Sequence, residues 1–169
     1  MTAAAGVLLA LHFATRIASL AHTSVAASLV LVNTTPIWAG LLAPRFTGER
    51  TGRSLALGIG VAVLGAVVIG AGDFRVEGSA LRGDLLALAG AVTLAGYVIA
   101  GRQLRRRLAL MPYVVLCYGT AALVLLALAL ALAAGHPVGG YSAATYGWLI
   151  GIALVPQVWG HTSYNWALR

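Results

Sequence analysis

Apolar residues in this chain come in long runs, without the alternation of a half-buried strand or the narrow stripe of a soluble amphipathic helix. Six runs stand out, at 3–21, 24–42, 54–71, 85–101, 113–134 and 146–168. With a rise of about 1.5 Å per residue, each is about long enough to cross a hydrocarbon core of ~30 Å. The pattern predicts an all-α fold, a polytopic membrane helix bundle of about six transmembrane helices. The connections are short, so consecutive helices are expected to be antiparallel neighbours. His22-Thr23 is barely a turn, while PRFTGERTGR, GDFRVEGSALRGD, RQLRRRLAL and GHPVGGYSAAT follow the second to fifth runs.

Polar positions inside the runs are not scattered. At about 100° per residue, His12, Thr15, Arg16, Ser19 and Thr23 share one sector of the first helix. Ser24, Ser28 and Thr35 share a face of the second, and Gln157, His161 and Tyr164 align on the sixth with Asn165 at the margin. The fourth adds Thr93 and Tyr97, the fifth Tyr118 and Thr120. Pro36 has no N–H, so the Val32 carbonyl four residues earlier is expected to be free for a ligand, a water or a neighbouring side chain. Pro156 marks an expected kink.

Lipid-facing helices need no such stripes. The expected arrangement is a polar cavity lined by the first, second and sixth helices with help from the fourth. Its candidate residues are His12, Arg16, Thr35, Tyr97, Gln157, His161 and Asn165. Structural roles compete with this reading. Arg16 is near a helix end and can snorkel to water, and His12 can bond a neighbouring helix. Thr34 and Thr35 can bond back to their own helix, and Asn165 and Trp166 can sit at the interface. In the third run Gly58, Ala62, Ala66 and Gly70 recur every fourth residue. That stripe suits close helix packing, although an Ala/Gly-rich composition produces it by chance as well.

Composition agrees with a membrane chain: 60% of the 169 residues are hydrophobic and 9% charged, and the mean hydropathy is +0.92. The net charge of +7 would suggest nucleic acid in a soluble domain, but the arginines sit between apolar runs, so no nucleic-acid partner is expected. Arg45, Arg50, Arg53, Arg102, Arg105, Arg106, Arg107 and Arg169 fall on one side of the expected topology, against Arg75 and Arg82 on the other. This places both ends of the chain in the cytoplasm, with the lipid bilayer of the plasma (inner) membrane as the surrounding partner. Ser19-Leu20-Ala21 imitates a cleavage site, yet no basic residue precedes the apolar run and Arg16 interrupts it, so cleavage is not expected.

The chemistry-bearing residues are few. Cys117 stands alone in an apolar run and reads as packing. Metal-ligand spacing, phosphate loops and nucleophile motifs do not appear, so the chain is expected to be no enzyme and to hold no metal or cofactor. All four carboxylates, Glu49, Asp73, Glu77 and Asp84, are assigned to loops. Proton coupling would then fall to His12 or His161, and Arg16 would lack an acidic partner within the membrane.

Residues 23–70, TSVAASLVLVNTTPIWAGLLAPRFTGERTGRSLALGIGVAVLGAVVIG, resemble the signature of EamA-type transporters in the drug/metabolite transporter superfamily. The shared features are the Thr-Ser start, the mid-helix Pro36, the Gly48-Glu49-Arg50 end and the glycine-bearing helix after it. LHFATRIASL resembles the helix before that signature, and PQVWGHTSYNWALR its counterpart in a second repeat. The resemblance implies ten helices in two inverted repeats of five, of which this chain supplies the third to the eighth. Residues 1–72 would be the last three helices of the first repeat and 73–169 the first three of the second. It also implies alternating-access transport of a small-molecule substrate, such as amino acids or related compounds, and leaves room for a homodimer. Pro36, Glu49, Gly58 and Gly70 take structural roles in it. Relatives of this kind carry an aromatic residue near the place of Arg16; an arginine facing the cavity there would turn substrate preference toward anions, whereas a sporadic substitution in a defective gene copy would mean nothing. An inactive truncated gene product and a membrane assembly subunit are the competing readings.

Overall fold

The computed structural model describes residues 1–48, 52–70, 79–133 and 139–168. The described residues are helical, without strands: α1 Thr2–Ser19, α2 Val25–Val32, α3 Thr35–Thr47, α4 Arg53–Gly70, α5 Ser79–Arg105, α6 Leu110–Ala133 and α7 Ala143–Ile152. A π-helix, Ala153–His161, and α8, Thr162–Ala167, complete the order. Among the described residues, four helical stretches are long and apolar enough to cross a membrane: Thr2–Ser19, Val25–Thr47, Ala80–Arg105 and Leu110–Ala133. The chain is thus a helical membrane protein, with four such stretches where six were expected. The third expected span is α4, whose apolar stretch Ala56–Gly65 is shorter. The sixth is a composite of α7, the π-helix and α8 rather than one α-helix.

The core lies where α1, α5 and α6 meet. Ala5, Leu9 and Ala10 of α1 pack with Tyr97 of α5 and with Tyr113, Cys117 and Ala121 of α6. Small residues let these backbones approach. A Cβ on Gly6 would stand 2.6 Å from the Cys117 carbonyl oxygen, and one on Gly83 2.7 Å from the Thr23 nitrogen. Gly58 on α4 makes no such approach: a Cβ there would meet nothing within 4 Å. Glycine spacing alone could not show which glycines face a neighbour. Gly70 closes α4, and Glu49 lies outside the described residues.

The α1–α2 connection is as tight as its length requires. Ser24 caps α2 by accepting the Ala27 N–H at 3.0 Å, and the buried Ser19 and Ser28 hydroxyls pair across the turn at 2.7 Å. The Thr23 hydroxyl donates to Asp84 at 2.7 Å. Asp84, assigned to a loop by the sequence, is in fact in α5, because that helix begins at Ser79 rather than after the polar GDFRVEGSALRGD stretch.

The ends agree with alternating direction. Met1, Phe46, Gln103 and Arg107 surround one small cavity of about 260 Å³. Gln103 Nε2 donates to the Phe46 carbonyl at 2.6 Å, and Leu168 packs beside Gly101. The start of α1 and the ends of α3, α5 and α8 therefore share the arginine-rich end of the bundle.

Candidate functional site

Two of the helical stretches are broken, and both breaks face the same space. The first falls at Asn33-Thr34, between α2 and α3. Pro36, in the first turn of α3, has no N–H to offer the preceding turn. The Val32 carbonyl is nevertheless not free, which corrects the expectation above. Thr35 Oγ1 donates to it at 2.6 Å and replaces the missing amide, and Thr34 Oγ1 donates to the Leu31 carbonyl at 2.6 Å. Thr35 Oγ1 also approaches the Ala91 carbonyl of α5 at 3.4 Å.

The second break is the nine-residue π-helix, Ala153–His161, which contains Pro156. Its bonds run from i to i+5 rather than i to i+4, which widens each turn and brings residues five apart closer to one face than an α-helix does. That changes the face predicted from α-helical spacing. Pro156 and His161, five apart, line the cavity together with Gly160 and Tyr164. Gln157 does not line it, and its Oε1 is buried with no hydrogen-bond partner among the described residues.

The cavity between these breaks has a volume of about 460 Å³. Val32, Asn33, Thr35 and Pro36 form one wall, Leu94 and Val98 of α5 the floor, and the π-helix with α8 the other wall. Mostly apolar walls with a few convergent polar groups characterise small-molecule sites. Here the polar groups are Asn33, Thr35, His161 and Tyr164. Asn33 and Tyr164 carried polar signals in the sequence, but only the breaks bring them to the cavity.

The remaining candidates lie beside the cavity. His12 is buried, with Nδ1 2.9 Å from the Gly90 carbonyl. A carbonyl only accepts, so Nδ1 carries the proton and His12 ties α1 to α5. Phe13 stands between the two histidines, with ring centroids 5.2 Å from His12 and 5.6 Å from His161. Arg16, in the last turn of α1, complements that helix's dipole. Its Cβ lies 3.7 Å from where a Gly90 Cβ would be, so the side chain leaves α1 toward α5. Its guanidinium has no hydrogen-bond or ion-pair partner among the described residues.

Tyr97 and Asn165 form a buried polar joint, both 0% exposed. The Tyr97 hydroxyl donates to Asn165 Oδ1 at 2.9 Å, and Asn165 Nδ2 lies 2.6 Å from the same oxygen and 3.1 Å from the Tyr118 hydroxyl. Arg105, 3% exposed, completes the joint by donating from Nε to the Asn165 carbonyl at 3.1 Å and from Nη1 to Leu108 at 2.6 Å. Asn165 is therefore neither interfacial nor on the cavity wall: it fastens α8 to α5 and α6. Arg105 was not singled out by sequence, because one arginine among four in RQLRRRLAL carries no mark of burial.

Among the described residues, no three His, Cys, Asp or Glu side chains gather to hold a metal. Comparison with protein-family models, with curated proteins and with solved structures gives no significant match.

Proposed function

We propose that this chain acts as a membrane carrier that moves a small metabolite by alternating access. One observation carries the reading: the α2–α3 break and the π-helix open on the same 460 Å³ cavity. Irregular backbone at membrane depth is tolerated where it lines a cavity, and broken helices at a central site are the usual construction of secondary transporters. Two breaks serving one space are costly in a protein that only has to fold. The resemblance of residues 23–70 to the EamA signature supports the same reading and suggests an inverted-repeat plan with amino acids or related compounds as substrates. In this reading the arginine-rich end faces the cytoplasm and the membrane is the plasma (inner) membrane. The carrier does no covalent chemistry.

Purified chain reconstituted in liposomes tests it. Saturable uptake from a panel of labelled amino acids and small organic acids is the expected result, slowed at least about tenfold by Pro156→Ala, which favours a regular α-helix. Flux no greater than in protein-free liposomes across the panel would refute the reading. A membrane subunit whose cavity is completed by other helices is favoured by one feature, the exposure of every residue from 143 to 150 along α7. Recovery of a stoichiometric partner after crosslinking within the membrane would support that alternative.

A further inference from the structure

The ionisable groups around the cavity are of one kind. His161 is on its wall, and His12 is buried beside it with Arg16 one helical turn further along α1. The one carboxylate among the described residues, Asp84, already accepts the Thr23 hydroxyl near the start of α5. A guanidinium within apolar helices and without a counter-ion is unfavourable, and a bound anion is one way to offset the cost. The Arg16 side chain is half-buried and leaves α1 on the side of α5. The His12 ring bonds the Gly90 carbonyl, the Arg16 Cβ lies beside the same glycine, and the Thr35 hydroxyl approaches Ala91, the next residue on α5. Arg16 and the α2–α3 break thus flank one turn of α5. Further along that helix, Leu94 and Val98 offer the cavity an apolar floor.

We infer that the cavity selects small organic anions, with an apolar body over Leu94 and Val98 and a carboxylate toward His161 and the Arg16 charge behind it. The inference rests on the carrier reading and narrows its substrate class. The bound carboxylate supplies the counter-ion that the chain's own described helices do not. Neutral molecules of the same shape leave the arginine uncompensated, and cations are repelled.

A matched series of one aromatic body with three end groups tests it: indole-3-acetate, indole-3-acetamide and tryptamine. Binding is measured calorimetrically to the full chain in nanodiscs of phosphatidylcholine, a lipid without net charge. The acetate should bind at least about tenfold more tightly than the amide, as a charge-assisted bond does over a neutral one, and the amine more weakly than both. Arg16→Gln should abolish the preference for acetate over amide. Arg16→Lys should keep it, and Arg107→Gln at the far end should not change it. Equal or tighter binding of the amide to the unaltered chain would overturn the inference even if Arg16→Gln failed to fold, and would leave the cavity standing. An unchanged preference in folded Arg16→Gln would overturn it as well. No binding by any of the three would count against the cavity and the inference together.

Discussion

The Asn165 amide holds the Tyr97 hydroxyl from both sides, accepting from it at Oδ1 across 2.9 Å and approaching it with Nδ2 at 2.6 Å. The pair is fully buried, and Nδ2 extends the contact to Tyr118 on α6. Three helices therefore meet through one side chain. Tyr97→Phe removes one hydroxyl and should lower stability by about 1 kcal/mol. Asn165→Leu leaves the Tyr97 and Tyr118 hydroxyls without this partner and should cost about 2 kcal/mol. Unfolding in mixed micelles by added sodium dodecyl sulfate measures both. Equal midpoints for the unaltered chain and Asn165→Leu would show that the joint contributes nothing.

Close backbone contact separates two glycines that look alike in sequence. A Cβ on Gly6 would collide with the Cys117 carbonyl oxygen at 2.6 Å, whereas one on Gly58 would meet open space. Gly6→Val should force α1 away from α6 and lower stability by about 2 kcal/mol or more, through lost packing along the core. Gly58→Val should stay within about 0.5 kcal/mol of the original, as expected for a substitution that touches nothing. The same micelle titration reads both, and a Gly58→Val loss matching that of Gly6→Val would mean that α4 packs on something through this stripe.

How much of this was legible depends on whether a feature lives in one helix or between several. Apolar runs located α1, α5 and α6 because length and hydropathy are local properties. The clustering of polar residues likewise pointed toward a cavity. Side-chain direction was not legible where the period changed. Counting at α-helical spacing put Gln157, His161 and Tyr164 on one face, but Gln157 does not line the cavity, and the wider turn of the π-helix brings Pro156 toward the His161 face. Satisfaction of backbone groups was equally hidden. Pro36 announced an orphaned Val32 carbonyl, and nothing in the spacing alone said that the Thr35 hydroxyl would occupy it. Arg105 and Asp84 were misread for a common reason: α5 runs beyond the apolar run at both ends, from Ser79 to Arg105.

The α2–α3 break makes opposite predictions for two adjacent residues. Thr35→Val deletes the donor now holding the Val32 carbonyl at 2.6 Å and should lower stability by about 1 kcal/mol. Pro36→Ala restores an N–H at the first turn of α3 and removes the ring, so the segment should become more regular and gain up to about 1 kcal/mol. Amide exchange at residues 33 to 36 provides the local readout, with slower exchange expected in Pro36→Ala. If transport depends on the break, the more stable variant is also the slower carrier. Faster exchange together with lower stability in Pro36→Ala would show instead that the proline holds the break in shape.

Sidedness can be read from a single helix. Between the exposed Arg107 and the exposed Tyr141 lies one long apolar helix, α6, with 24 residues. It rises about 36 Å, enough for one crossing and too little for two. A cysteine at each end should therefore react from opposite sides of the membrane. Cys117 provides an internal control, since it is buried against the core and should stay unlabelled in the intact fold. With a membrane-impermeant maleimide on whole cells, Tyr141→Cys should react at once and Arg107→Cys only after permeabilisation, if the arginine-rich end is cytoplasmic. The reverse pattern would invert the orientation and leave the bundle unchanged. Labelling of both positions from the same side would mean that α6 does not cross, and the cavity beside it could not serve as a path through a membrane.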